Sequence, residues 1–318
     1  MNMSPNVSRR EFCRLTLAAG LGASLASRVV EAAAAEFPRG RYVDIHTHLG
    51  QTWNHTEALS SAGLLAWMDQ NDIAQAVVLP LVSPESSAYP ITTDFVLEAT
   101  RPHRDRLIPF CSVDPRTSYS GGLKGLTDML RKYVDAGAKG FGEHKPGVQV
   151  DDPRNMTIYA ACGELNLAVL FHLDQLRNTD QPGLPGLERA LKEHPSTRFI
   201  GHGPGWWASI SGKITAEDLA RYPDGPVQPG GAIDTLMEKY PNLYGDLSAG
   251  SGAQAISRDL EFGREFLTRR ADRLMFGTDY LSPGQVVPQL ELFRSLDLPP
   301  QVQAKVFREN ARKLLGLS

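Results

Sequence analysis

Short apolar runs recur along the chain, and the stretches between them alternate apolar and polar residues with helical periodicity. The runs are rich in β-branched residues and too continuously apolar for strands with one face in water. Such runs are typical of parallel strands that are covered on both faces. We predict eight strands, which begin near Tyr42, Ala74, Leu107, Ala138, Leu167, Arg198, Leu243 and Leu274.

The intervening stretches predict helices, the clearest of which are 63–71, 123–136, 155–166, 186–194, 233–240 and 256–270. Most strand starts lie about 30 residues apart, which is the length of a βα unit. Eight such units that close on themselves form a TIM barrel. An open, doubly wound sheet is the alternative, but no glycine-rich nucleotide loop follows the first strand. We therefore predict one α/β domain, a single (β/α)8 TIM barrel spanning residues 36–318.

One interval is longer, because about 45 residues separate the sixth and seventh strands where about 30 would suffice. The extra segment begins at Gly203 and continues as a polar stretch, rich in Pro and Gly, to about Gly231. Active sites of barrels are built from loops of this kind. We expect the segment to shape substrate access. Trp206, at its start, either forms a wall of the substrate pocket or covers the edge of the barrel.

The N-terminus carries the pattern of an export signal. Arg9, Arg10 and Phe12 precede a short apolar run, 15–30, and a small-residue exit at 31–36. This arrangement resembles a twin-arginine signal, which directs proteins to export in the folded state. An amphipathic N-terminal helix is the alternative. We expect residues 1–35 to be removed after passage through the twin-arginine export machinery, leaving a periplasmic or secreted protein without a stable membrane anchor.

Composition and charge narrow the function classes. The chain has 318 residues and a formal net charge of −3, so no basic surface indicates nucleic-acid binding. Cys111 and Cys162, the two cysteines beyond the predicted signal, are expected to be ordinary core residues and not a disulfide framework. We expect a small-molecule substrate, and the sequence leaves open whether the protein forms a homo-oligomer.

Ligand-type side chains collect at the carboxyl ends of the predicted strands. His46 and His48 end the first strand, and residues two apart on a strand share a face. Both imidazoles can therefore reach one ion. A lone strand histidine is usually a core residue, but here the convergence covers five strands. The mixed nitrogen and oxygen donors suit Zn²⁺, Mn²⁺ or Fe²⁺. The set is His46, His48, Glu143, His172, His202 and Asp279.

These motifs carry a resemblance to a known family. His46-Thr47-His48 on strand one, Phe171-His172 on strand five, Gly201-His202 on strand six and a Gly-Thr-Asp-Tyr run ending at Tyr280 resemble the amidohydrolase superfamily. The similarity is to its amidohydrolase-related branch, which contains decarboxylases and hydrolases. The final segment, 310–317, also resembles that branch, and the likeness covers about residues 40–318.

The resemblance implies that His46, His48 and Asp279 bind the metal and that His172 is a further ligand. His202 is implied to be either a ligand of a second ion or an acid/base residue. Asp279 also becomes a candidate to move the proton of the attacking water. The ion is expected to be Zn²⁺, with Mn²⁺ or Fe²⁺ as alternatives, at one or two per chain.

Strand four departs from the common superfamily pattern of a bridging lysine. Its Gly-Phe-Gly-Glu run resembles the Gly-x-Gly-Glu of TatD-like hydrolases, in which the glutamate binds metal. Glu143 could thus bridge two ions, completed by His172 and His202. Alternatively a single ion is bound, and Glu143 or Lys145 contacts substrate. The negative net charge argues against TatD-like nuclease activity, since phosphate backbones require basic contacts.

Five other polar residues have roles that the sequence pattern leaves open. Asp174 and Lys145 are candidate substrate contacts. Asp246 and Ser248, after strand seven, could line the pocket or cap the next helix, and the cap is the favoured interpretation. His144 neighbours Glu143 but alternates to the other face, so a structural role is expected.

Three functions remain open from sequence. We favour a metal-dependent hydrolase that acts on a small carbonyl, lactone, amide or ester substrate through metal-activated water. The alternative is a non-oxidative decarboxylase of an aromatic or unsaturated carboxylic acid. It would need a cation to hold the carboxylate, and Lys145 is the clearest candidate. A barrel that binds a metal or metabolite without turnover is the third possibility.

Overall fold

Eight parallel strands form the centre of the computed structural model, which describes residues 40–117 and 120–317. Nearly every strand residue is buried, as the continuous apolar runs predict. The predicted strand starts agree with those observed to within two residues. The strands are β1 Tyr42–Thr47, β2 Ile73–Val78, β3 Leu107–Pro109, β4 Gly140–His144, β5 Ala168–His172, β6 Phe199–His202, β7 Leu243–Asp246 and β8 Leu274–Met275.

The strands follow one another in chain order around a ring. Hydrogen-bonded ladders pair β1 with β2 and β2 with β3. A second set of ladders pairs each strand from β4 to β8 with the next one. Single parallel bridges span both seams, from Cys111 to Phe141 and from Thr47 to Tyr280. At the second seam the Ile45 amide also donates to the Phe276 carbonyl at 3.0 Å. The predicted TIM barrel is therefore confirmed, and all eight carboxyl strand ends open on one face.

Helices follow the strands and cover the outside of the barrel. Side chains of Ser60, Thr92, Asp152 and Asp259 accept hydrogen bonds from the first turns and fix where four of them begin. The helices are α1 Ser61–Gln70, α2 Thr93–Thr100, α3 Gly122–Asp135, α4 Pro153–Glu164, α5 Pro185–Glu193, α6 Pro204–Ala208, α7 Ala232–Lys239, α8 Ala249–Ser257, α9 Leu260–Arg269, α10 Pro288–Ser295, α11 Pro300–Ala304 and α12 Asn310–Leu315.

The single helix predicted over 256–270 is two helices in the structure. The Asp259 carboxylate accepts from the Phe262 amide and starts α9. That capping bond requires Asp259 to leave helical geometry, so α8 ends at Ser257. A π-helix, Lys305–Glu309, separates α11 from α12, and the short 3₁₀ helices are Arg101–His103 and Glu217–Ala220.

The long connection between α6 and α7 lies on the face where the strands end. It contains the 3₁₀ helix Glu217–Ala220. The Pro223 carbonyl of the connection accepts hydrogen bonds from the side chains of Gln254 and Arg258. These two bonds fix the connection onto α8. Within the described residues, no helix is long and apolar enough to cross a membrane. The predicted export signal, residues 1–35, lies outside the described part of the chain.

Candidate metal centre

His46 and His48 place two nitrogen donors side by side inside the barrel. Their Nε2 atoms are 3.1 Å apart. Nδ1 of His48 donates to the Leu79 carbonyl at 2.9 Å, and Nδ1 of His46 donates to Asp246 at 2.7 Å. Because each Nδ1 carries the proton, each neutral ring presents an Nε2 lone pair to the same space. This is the arrangement expected of two imidazole ligands with fixed tautomers.

Asp279 adds an oxygen donor from β8. Its Oδ1 lies 3.5 Å from His46 Nε2 and 3.4 Å from His48 Nε2. The residue adopts a left-handed backbone with φ of 57°, and its amide donates to the His46 carbonyl at 2.8 Å. Burial raises the pKa of Asp279, but the nearby His46 and His48 rings outweigh burial and hold it below its usual range. The carboxylate is therefore ionised.

Glu143, on β4, adds a second carboxylate. Its Oε2 lies 3.6 Å from His48 Nε2 and 3.9 Å from His46 Nε2. Its Oε1 lies 2.9 Å from His172 Nδ1 and 3.2 Å from the Lys145 ammonium. Burial opposes ionisation, but Lys145 and His172 lower the pKa of Glu143 well below its ordinary value. One oxygen thus faces the histidine pair and the other faces His172, while the Lys145 ammonium also lies 3.3 Å from Oε2 and so contacts both.

The spacing of these donor atoms fits a divalent ion. An ion that binds ligands at about 2.0–2.1 Å holds neighbouring ligand atoms about 3.0–3.4 Å apart. The separations among His46, His48 and Asp279, 3.1–3.5 Å, match that spacing. His46, Glu143 and His202 form a second metal-competent group. Since the two groups share His46, they surround one common space, which we name the cage.

Asp246 orients the cage histidines, a role that the favoured capping interpretation did not give it. Its Oδ2 accepts from His46 Nδ1 and from Ser248 Oγ, both at 2.7 Å, and lies 3.1 Å from His202 Nδ1. Ser248 makes no side-chain cap to α8, so the favoured capping interpretation is wrong. Burial raises the pKa of Asp246, but the nearby His46 and His202 rings outweigh burial and hold it below its usual range. The carboxylate is therefore ionised. It orients two histidines at once.

His202 reaches the cage from β6. Its ring packs against His46 with centroids 4.3 Å apart, and its Nδ1 lies 2.9 Å from Ser248 Oγ. Its Nε2 is 3.7 Å from Glu143 Oε1. Both implied roles, metal ligand and acid/base residue, are compatible with this position at the border of the cage.

His172, the further ligand that the resemblance implies, lies between two carboxylates. Its Nδ1 lies 2.9 Å from Glu143 Oε1, and its Nε2 lies 2.8 Å from Asp174 Oδ2. Each ring nitrogen thus lies within hydrogen-bond distance of a carboxylate oxygen. His172 belongs to neither metal-competent group. The second site held by Glu143, His172 and His202 was one of two alternatives for strand four, and it stays a prediction.

The predicted substrate contacts separate into two kinds. Lys145 and Asp174 lie beside the cage, and Asp174 also pairs with Arg177 at 2.7 Å, a cation that sequence reasoning missed. Trp206 lies outside the barrel and is fully buried. Neighbouring strand residues face opposite sides, and His202 faces the barrel interior, so Gly201 faces outward. A Cβ added at Gly201 would come within 2.4 Å of the Trp206 ring, which places the indole on that outer side. Trp206 is thus not a pocket wall.

Two further residues support the site without entering it. Asp44 accepts from the His46 amide at 3.0 Å and from Thr278 Oγ1 at 2.5 Å, and burial raises its pKa to about 7. His144 bonds Asn155 at 2.8 Å on the other side of β4, as the alternation predicts. Burial lowers the pKa of His144 to about 4, so this ring is neutral.

A barrel with histidine and carboxylate donors converging at its strand ends defines a metal-dependent enzyme of the amidohydrolase superfamily. The amidohydrolase family model Amidohydro_2 matches residues 43–317, and the chain belongs to that family. No curated protein matches the chain significantly.

Solved structures similar to this chain share its fold at low sequence identity. A probable 2-pyrone-4,6-dicarboxylic acid hydrolase from Acinetobacter baumannii, with citric acid bound, is 15% identical at a TM-score of 0.56, over 87% of this chain and 99% of that one. The 2,6-dihydroxybenzoate decarboxylase from Rhizobium is 18% identical at 0.52, over 87% and 98%. A manganese complex of 5-carboxyvanillate decarboxylase from Novosphingobium aromaticivorans is 16% identical at 0.54, over 89% and 99%.

Proposed function

We propose that this protein is a metal-dependent decarboxylase of an aromatic or unsaturated carboxylic acid. The observation that carries the proposal is a cation at the edge of the cage, the Lys145 ammonium 3.2 Å from Glu143. Lys145 is the cation that the sequence already singled out to hold a carboxylate. Arg177, one-fifth exposed and next to Asp174, adds a second cation there. The three similar structures are named for carboxylic acid substrates, and two of them are decarboxylases.

The proposed metal site is a single cage held by His46, His48, Asp279 and Glu143, with His202 at its border. Bound there, a divalent ion supplies a Lewis acid that draws electron density from an oxygen of the substrate. The choice between Zn²⁺ and Mn²⁺ stays open, since the mixed donor set suits both.

Lys145 would hold the carboxylate that is lost. Its side chain is 13% exposed and makes one ion pair, to Glu143, so part of its donor capacity faces the mouth. A hydrogen bond between charged groups contributes about 1.5–3 kcal/mol. Replacement of the ammonium should therefore reduce kcat/KM by roughly 10- to 100-fold.

His202 is the proposed proton donor. In the reaction, the bond from the substrate carbon to its carboxylate breaks, CO2 leaves, and the electron pair stays on the carbon. That carbon then takes a proton. Ser248 and Asp246 hold Nδ1 of His202, which directs Nε2 toward the cage and makes it the nitrogen that delivers the proton.

Hydrolysis of a lactone or ester is the second candidate. It is favoured by Asp279, whose ionised side chain is 21% exposed beside the cage and could take a proton from an attacking water. The same ligand cage serves both reactions. The two differ in their products, because hydrolysis opens the substrate without releasing CO2.

The deciding experiment measures CO2 release by protein loaded with Zn²⁺ or Mn²⁺. The substrates are 2,6-dihydroxybenzoate, 5-carboxyvanillate and 2-pyrone-4,6-dicarboxylate. Lys145→Met should lose most activity, whereas Lys139→Met, an exposed lysine at the opposite end of β4, should retain it. Pyrone opening without CO2 would favour the hydrolase. Metal-loaded protein that transforms none of the three would overturn the proposal and favour a barrel that binds without turnover.

A further inference from the structure

Tyr222 stands out because its position is fixed although its side chain is half exposed. It lies in the long connection between α6 and α7, and its exposed fraction is 48%. The next residue, Pro223, is held by two side-chain hydrogen bonds, from Gln254 at 2.6 Å and Arg258 at 2.7 Å. A large aromatic ring is thus presented to solvent from an anchored backbone, which limits the entropy lost when a ligand binds it.

The ring of Tyr222 lies against the start of α8, the helix whose first residue bonds to the end of β8. A Cβ added at Gly250, in the first turn of α8, would come within 3.2 Å of the ring. The preceding residue, Ala249, donates its amide to the Thr278 carbonyl at 3.4 Å, and Thr278 precedes Asp279. The chain of contacts therefore leads from the ring to a metal-ligand carboxylate.

Electrostatics agree with this placement. Burial and the negative charge of Asp279 both raise the pKa of Tyr222. The tyrosine hydroxyl faces Ser251, whose buried Oγ makes no other hydrogen bond within the described residues. Tyr222 thus offers a planar apolar face together with a protonated hydroxyl, on the Asp279 side of the cage.

A second loop at the mouth is tied to the same connection. Gln175, after β5, donates to the Ala216 carbonyl. The next residue, Leu176, is 66% exposed. Exposed apolar side chains on two joined loops at the mouth form a surface suited to an apolar ligand group and not to a fully polar one.

We propose that Tyr222 is a specificity-determining residue, which stacks on the planar ring of the substrate while its carboxylate is held on the opposite side of the cage by Lys145. This inference rests on the proposed function and deepens it by requiring planarity of the substrate. Stacking of aromatic rings contributes enough to change binding by roughly two- to tenfold.

The test compares two probes of equal charge, benzoate and cyclohexanecarboxylate, by calorimetry on the metal-loaded protein. Wild type should bind benzoate more tightly. Tyr222→Leu should weaken benzoate binding by roughly two- to tenfold and leave cyclohexanecarboxylate binding and metal content unchanged. Tyr89→Leu is the matched control, since Tyr89 is 45% exposed on another mouth loop, and it should change neither affinity.

Each contrary result overturns the inference. One such result is that Tyr222→Leu weakens the binding of both probes equally, or of neither. Another is that wild type does not bind benzoate, or binds cyclohexanecarboxylate more tightly. Failure of the proposed function is a separate result. If benzoate binds with the expected dependence on Tyr222 but no panel acid releases CO2, the inference stands and the decarboxylase assignment falls.

Discussion

Asp246→Asn is the substitution that should most sharply separate orientation of the ligands from ligation itself. Asp246 is fully buried and touches the cage only through His46 and His202. Its Oδ1 accepts from the Ser248 amide at 2.9 Å, a bond that the amide oxygen of the variant can keep. The NH2 group of the variant then occupies the position of Oδ2, which has His46 Nδ1, Ser248 Oγ and His202 Nδ1 within 3.1 Å.

The consequence for His46 follows from hydrogen-bond polarity. An NH2 group donates, so Nδ1 of His46 must become the acceptor and the ring proton moves to Nε2. Nε2 is the nitrogen that faces His48 and Asp279, and it loses its lone pair for the metal. Loss of such supporting partners weakens metal binding about 10- to 100-fold, which is about 1.4–2.7 kcal/mol.

Asp44→Asn is the matched control. Both carboxylates are fully buried in the barrel interior. Burial raises the pKa of Asp44 to about 7, so the fold tolerates its neutral form, and the Thr278 hydroxyl can reverse its hydrogen bond to an amide. The Kd for Zn²⁺, measured by competition with a chromogenic chelator, should change less than threefold, within the scatter of an unaffected site. Equal affinities of Asp246→Asn and wild type would refute the orientation argument.

Three further outcomes are expected. By elemental analysis, wild type and His172→Gln should both carry one ion per chain, whereas His48→Ala should lose it, because His48 belongs to a metal-competent group and His172 does not; loss of metal in His172→Gln would contradict this. Gly201→Ala should destabilise the fold to urea by about 1–3 kcal/mol, because the new Cβ meets the Trp206 ring, and added Trp206→Phe should recover part of the loss. In the metal-free protein, the free energy of unfolding should fall by about 1.4 kcal/mol per pH unit as pH drops from 6.5 toward 4, since the unfolded chain protonates His144 before the folded one does. His144→Phe should remove this part of the pH dependence, and an unchanged pH profile in that variant would argue against a neutral buried ring.

The barrel and most of its ligands could be predicted because their signals are local. Continuous apolar runs mark strands buried on both faces, and the i, i+2 spacing of His46 and His48 sets their common face. The helix break before Asp259 also had a local signal, an Asp at a capping position. The burial of Trp206 also had a local signal, because the missing side chain of Gly201 makes room for the indole.

The roles of Asp246 and His172 could not be predicted, since each depends on a rotamer chosen by distant partners. An Asp and a Ser before a helix form an ordinary capping pattern, and only the fold brings Asp246 to His46, 200 positions away. His172 ends its strand as a ligand would. Its nitrogens are nevertheless taken by Glu143 and Asp174, and no spacing in the sequence states which way the ring turns.

The charges of the site explain why it needs a cation. Glu143, Asp174, Asp246 and Asp279 all have pKa values below the usual range and are ionised. Among the residues that the structure describes, only Lys145 and Arg177 pair with them as permanent cations.

Buried carboxylates in excess of cations are costly unless something neutralises them. A divalent ion bound in the cage would supply the missing positive charge. Protons compete with the ion for the ligand atoms, so metal binding should release protons and metal affinity should weaken as pH falls. A proton release of zero, measured by calorimetry in buffers of different ionisation enthalpy, would contradict this account of the cage.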